Sequence, residues 1–215
     1  MTDINKIIND LSDDLEPVKV MPSPGFRTVV WLLCGLSYVV ILPIFLDIRP
    51  DLAEKFTQPL FIAEIIIAAL GSILACLSAS YLATPDTYQK PSIKWIATIP
   101  FIALTILLIY CIIDQRNTTV PINTTLNTYQ CFADMFAFAA FPIIVMLYLC
   151  ARQGATTHCN WSGAMIGLSS VNFSYIALRV VEQNDSAKHI LLWHYTPMIL
   201  TVLIGIILGR KFLKW

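Results

Sequence analysis

Six runs of about twenty mostly apolar residues constrain this chain more than any other feature. They cover residues 28–46, 60–83, 94–113, 132–150, 161–180 and 190–209. Each is long enough to cross roughly 30 Å of hydrocarbon at about 1.5 Å of rise per helical residue. The expected fold is therefore all-α: a polytopic membrane protein with a six-transmembrane-helix bundle at 28–215 and a polar leader at 1–27. Composition points the same way, since 57% of the residues are hydrophobic and only 13% charged. A cleavable signal is not expected, because a long acidic leader precedes the first run and that run exceeds a signal core. The formal net charge is zero, so nothing electrostatic argues for direct contact with nucleic acid.

An even number of spans puts both termini on one side, and Lys and Arg say which. The leader, the second and fourth loops and the tail hold nine: Lys6, Lys19, Arg27, Lys90, Lys94, Arg152, Arg210, Lys211 and Lys214. The first, third and fifth loops hold five: Arg49, Lys55, Arg116, Arg179 and Lys188. The positive-inside rule then places both termini in the cytoplasm.

The leader is the one segment long and polar enough to meet a soluble partner. Ile4, Ile7, Ile8, Leu11 and Leu15 recur at helical spacing, with Asp3, Asn5, Lys6, Asp10, Asp13 and Asp14 around them. Pro17, then Pro22, Ser23, Pro24 and Gly25, stop this short amphipathic helix. So short a helix is marginal alone in water, so its stripe must bury against a partner protein, the rest of the chain or lipid. Its acidic residues disfavour anionic headgroups.

Small residues mark where spans pack closely. Ala68, Ser72, Cys76 and Ser80 form a ladder in the second span. Gly163 with Gly167 and Gly205 with Gly209 are small-xxx-small pairs in the fifth and sixth. With antiparallel neighbours these two pairs fall at the cytoplasmic end, where helices five and six are expected to touch. Pro43, Pro100, Pro142 and Pro197 lie within spans and are expected to bend them.

Polar groups inside spans are costly, which makes them the candidates for function. Glu64, Asp134, Arg179 and His194 all fall near the outer ends of their helices. Cys111 and Cys131 share that layer, and Cys131 and Asp134 are three residues apart on one helical face. Thiolate, imidazole and carboxylate suit a soft or borderline metal, which makes Cys131, Asp134 and His194 a candidate ligand set; an oxidant reacting at the thiols is a second reading. A third is structural: Arg179 neutralises Glu64 or Asp134 and the cluster pins helices. Cys111 and Cys131 are also the two cysteines able to meet on the outer side.

No phosphate-binding glycine loop, GxSxG, HExxH or vicinal cysteine pair is present, so no enzyme and no cofactor is expected. A small transporter or channel is one alternative, although its polar groups would extend through the midplane. A membrane thiol oxidoreductase is another, with only the distant Cys111 and Cys131 to serve it.

Several pieces, in order along essentially the whole chain, resemble a known family. They are Asp14-Leu15-Glu16-Pro17-Val18, Arg49-Pro50-Asp51-Leu52, Cys131 and Pro142, Trp193-His194 with Pro197, and the ending Gly209-Arg210-Lys211 to Trp215. Together they are similar to the NrsF family of bacterial membrane anti-sigma factors, the negative regulators of sigma F. The resemblance implies a six-span inner-membrane protein whose cytoplasmic leader holds an extracytoplasmic-function (ECF) sigma factor. It also implies release on metal or redox stress, with outward-facing cysteines involved. Family members carry a second cysteine near the end of the fifth span, where this chain has Arg179-Val180. Cys111 standing in for it, His194 and Asp134 completing a site with Cys131, and a different stimulus are the three ways to read that departure.

Overall fold

The computed structural model describes residues 22–85, 91–115, 128–154 and 156–214, together with Ile4 and Ser12. These residues are helical throughout their ordered elements, with no strand among them. Six long helices follow one another: α1 (Pro24–Phe45), α2 (Pro59–Leu82), α3 (Thr98–Gln115), α4 (Thr128–Gln153), α5 (Cys159–Val181) and α6 (Thr196–Phe212). A single turn at Leu52–Lys55 precedes α2, and a 3₁₀ turn at Pro91–Lys94 precedes α3. Another turn at Ala187–His189 and a π-helical segment at Ile190–Tyr195 run directly into α6. Six stretches are long and apolar enough to cross a membrane, the sixth running unbroken from Ala187 to Phe212. This is the architecture of a multi-pass membrane protein.

The residues that stop the leader helix in the sequence start α1 in the structure. Ser23 Oγ accepts a hydrogen bond from the Phe26 amide at 3.2 Å, and Pro24 opens the helix, where its missing N–H costs nothing. Pro100 likewise sits in the first turn of α3 rather than in its interior. Pro142 is inside α4. Its carbonyl accepts a 3.0 Å hydrogen bond from the indole of the fully buried Trp31 on α1, which ties the two helices together.

Helix α5 is the axis of the bundle. Within its span 83% of residues are buried, against 22–39% in the other five. It packs on α6, α2, α4 and α1, while α3 leans on α2 from outside. The least hydrophobic helix lies innermost because helix packing in lipid is driven by close approach and internal hydrogen bonds, since tails are as apolar as Leu. Its Asn172 amide donates to the Leu168 carbonyl at 2.8 Å, and the Ser174 hydroxyl donates to the Ser170 carbonyl at 3.3 Å, so these two side chains are satisfied along the helix itself. Large apolar side chains instead cover the outside, as with Leu33, Leu36 and Val40 on α1 and Ile99, Ile102 and Ile106 on α3.

The small residues do what their spacing implies. The ladder Ala68, Ser72, Cys76 and Ser80 is buried, and Ser72 donates to the Ser169 carbonyl of α5 at 2.7 Å. Where α5 crosses α6, a Cβ placed on Gly163 would lie 2.2 Å from the Gly205 oxygen, and one on Gly209 would lie 2.5 Å from the Cys159 oxygen. Backbone touches backbone there. This crossing is at the end of the bundle where α1 begins and α6 ends, as is the contact of Arg27 with the Ser80 carbonyl.

Candidate functional site

At the opposite end, the α1–α2 and α5–α6 connections meet the start of α2 and the end of α5 in an ionic network. The loop after α1 turns at Asp47, whose φ of 59° puts a short polar residue in the left-handed region that such residues tolerate. The turn brings the Arg49 amide to 3.1 Å from the Val180 carbonyl, at the end of α5, and its side chain into the interior. The Arg49 guanidinium grips Asp51 at 2.7 and 2.8 Å with one edge and Asp185 at 3.0 and 2.7 Å with another. Asp185, in the loop between α5 and α6, also receives Lys55 at 2.7 Å and Arg179 at 2.8 Å. From Arg179 the network continues inward. Its Nε lies 2.7 Å from Glu64 Oε1, as an ion pair rather than an aligned hydrogen bond, and Nη2 donates to Oε2 at 3.3 Å. The Tyr175 hydroxyl donates to the same carboxylate.

Arg49, Lys55 and Arg179 face Asp51, Asp185 and Glu64, so cations and carboxylates balance. The ring of Phe61 lies 5.1 Å from the Arg179 guanidinium carbon and 6.0 Å from that of Arg49, and lends a π-face to both. Burial by itself would raise the Asp185 carboxyl, but hydrogen bonds from Arg49, Lys55 and Arg179 outweigh it and hold that group well below the usual carboxylate range. Asp51 is lowered as well, chiefly by its hydrogen bond to Arg49.

Beside this network is a second group. Cys131 Sγ and one ring nitrogen from each of His189 and His194 lie within 4.8 Å of one another. The Cys131 thiol donates to Glu182 Oε2 at 2.9 Å, just past the end of α5. His194 is fully buried, and neither of its ring nitrogens has a hydrogen-bond partner among the described residues; nor does His189 Nε2. An unpaired buried polar group costs about 1–3 kcal/mol.

Local winding puts the two imidazoles together. Five residues on a regular α-helix turn through about 500°, which leaves positions i and i+5 about 140° apart. Between His189 and His194 the chain is a π-helix, with more residues per turn, and the rings come to 5.3 Å between centroids. Pro197 supplies the cause, because it has no N–H for the carbonyl of Trp193 and its ring crowds the preceding turn.

The residues anticipated from the sequence separate into two groups. Glu64 and Arg179 form the ionic core, and Arg179 pairs with Glu64 and Asp185. Cys111 lines a cleft beside them with Lys55, Phe61 and Glu64. Cys131 and His194 lie together, but the structure brings in His189 where the sequence reading had Asp134. On α4 the inward row runs through Cys131 and Met135, and Asp134 is half-buried to one side of it, outside the group. All six cysteines are free thiols. In the leader, Ile4 is helical and exposed; Ile7, Ile8, Leu11 and Leu15 lie outside the described residues. Arg49, Asp185, Glu182 and His189 were not singled out as site residues. Arg49-Pro50-Asp51 stood out only as part of the family resemblance, and loop residues such as Asp185 carry no periodic signal.

Six helices long and apolar enough to cross a membrane, with an ion-paired clamp and a thiol–imidazole cluster at one end, define a polytopic membrane protein. The chain belongs to the NrsF family, described as negative regulator of sigma F, whose family model matches residues 11–215. No curated protein and no solved structure matches it.

Proposed function

We propose that this protein is a membrane-bound anti-sigma factor that sequesters an ECF sigma factor through residues 1–27 and releases it when envelope, metal or redox stress acts at the opposite end of the bundle. The observation that carries this reading is the family match, which runs from Leu11, within the leader, through all six spans to Trp215. In this reading the protein sits in the bacterial inner membrane with both termini cytoplasmic, as the nine-to-five distribution of Lys and Arg favours. Ile4, Ile7, Ile8, Leu11 and Leu15 insert as one wall of a helix into an apolar groove of the sigma factor and are ordered on binding. Cys131, Cys111, Asp134, Glu64, Arg179 and His194 belong to the periplasmic sensing end. The stimulus shifts the bundle between two states that differ in sigma affinity by a few kcal/mol.

Affinity capture from unstressed native membranes tests the docking step. Full-length protein is expected to retain a small sigma factor, and a version lacking residues 1–20 is expected to lose it. Replacing Ile8 and Leu11 by Asp should likewise raise transcription from the sigma factor's promoters. A sigma factor retained equally without the leader would overturn the docking model.

A further inference from the structure

The thiol–imidazole group at the start of α4 and α6 has the composition and the unmet bonding of a metal site. We propose that Cys131 Sγ, His189 and His194 bind a single borderline divalent cation of the zinc class. This deepens the sensing-end reading above and rests on it only for the consequence of binding, not for the binding itself.

One thiol and two imidazoles are a common ligand set for Zn²⁺, and they are poor ligands for Mg²⁺ or Ca²⁺, which require oxygen. The three ligand atoms already lie within 4.8 Å of one another. Bond lengths of about 2.0–2.3 Å around a tetrahedral ion put ligand atoms roughly 3.3–3.7 Å apart, so binding requires closure by about 1 Å. His194 is fully buried with both ring nitrogens unpartnered among the described residues, and His189 adds another unpartnered nitrogen. A cation bound by both rings removes one deficit from each. Three protein ligands leave one position of a tetrahedron, and the Glu182 carboxylate, 2.9 Å from the Cys131 sulfur, borders it. His189 is half-buried and provides the approach from outside. On binding, the sulfur–metal bond replaces the S–H bond, and the thiol proton leaves to water.

The three ligands come from two helix ends, so closure draws the beginning of α4 toward the π segment that leads into α6. Cys111 has no part in this site; it lines the cleft around Glu64 and Arg179.

The test uses purified full-length protein in detergent, without a sigma factor, titrated with Co²⁺ as the spectroscopic probe and then with Zn²⁺. Stoichiometric Co²⁺ uptake with a thiolate charge-transfer band and tetrahedral ligand-field absorption, both displaced by Zn²⁺, is the expected result. Cys131→Ser should abolish the charge-transfer band, His189→Gln should weaken or abolish binding, and Cys111→Ser should leave the spectrum unchanged. Because His194 is in the core, the half-buried His189 serves as the variant that keeps its fold, checked by circular dichroism. Absence of stoichiometric binding by folded wild-type protein, or a spectrum indifferent to Cys131→Ser, would overturn the site. Binding that leaves sigma-factor capture unaltered would uphold the metal site and count against the signalling reading alone.

Discussion

At the scale of single residues, Asp185 matters most, because one carboxylate joins three cations from different parts of the chain. Arg49 comes from the loop after α1, Lys55 from the turn before α2 and Arg179 from the last turn of α5. Breaking a fully buried pair costs about 3–5 kcal/mol, and Asp185→Asn should cost about 2–3 kcal/mol because the carboxylate is partly open to water. Thermal unfolding in detergent reads that loss directly. The pH dependence has a definite sign. Asp185 and Asp51 both titrate below the ordinary carboxylate value of about 3.9, so the folded state binds fewer protons than the unfolded one in that range. Their contribution is complete above about pH 5 and is lost as the pH falls through the folded-state values. Acid titration followed by tryptophan fluorescence should show a loss of tertiary structure in this window, and Asp185→Asn should flatten that limb. Glu64 and Arg179 were legible as costly polar residues near helix ends. Their partner Asp185 was not, because a loop aspartate is ordinary until three cations surround it.

At the scale of helices, the crossing of α5 and α6 depends on glycine at both faces. Gly163→Ala would force a Cβ to 2.2 Å from a backbone oxygen, which no side-chain rearrangement relieves. A cost of about 1–3 kcal/mol is expected from such overpacking, seen as a lowered melting temperature. Gly25→Ala is the matched control, since nothing lies within 4 Å of the added carbon. It should be neutral or stabilising by up to about 1 kcal/mol, as alanine favours the helix. The four-residue spacing of small side chains made this crossing readable in the sequence. The sixth helix was readable only in part. Its apolar run and Pro197 were plain, but the π winding that turns His189 toward His194 changes the phase of the helix, and a search at three- and four-residue spacing passes over a pair five apart.

For the whole molecule, α5 connects the two ends. Its 23 residues span about 35 Å, with Arg179 in the ionic network at one end and Gly163 against α6 at the other. The metal-dependent release proposed here obeys linkage: if Zn²⁺ lowers sigma-factor affinity by some factor, bound sigma factor must lower Zn²⁺ affinity by the same factor. Titrating Zn²⁺ into the protein alone and into its complex with the sigma factor measures this. Equal affinities would show that the metal site and the leader are not coupled.

The sequence by itself determined the number of spans, their order and family, and the small-residue seams, because membrane crossing and close helix contact depend on composition and spacing within one segment. Tertiary structure alone decided that α5 is the axis, that Asp185 gathers the cations of three segments, and that His189 rather than Asp134 lies beside Cys131 and His194. These are relations between segments distant along the chain or across an irregular turn, and they exist only once packing has brought the helix ends together.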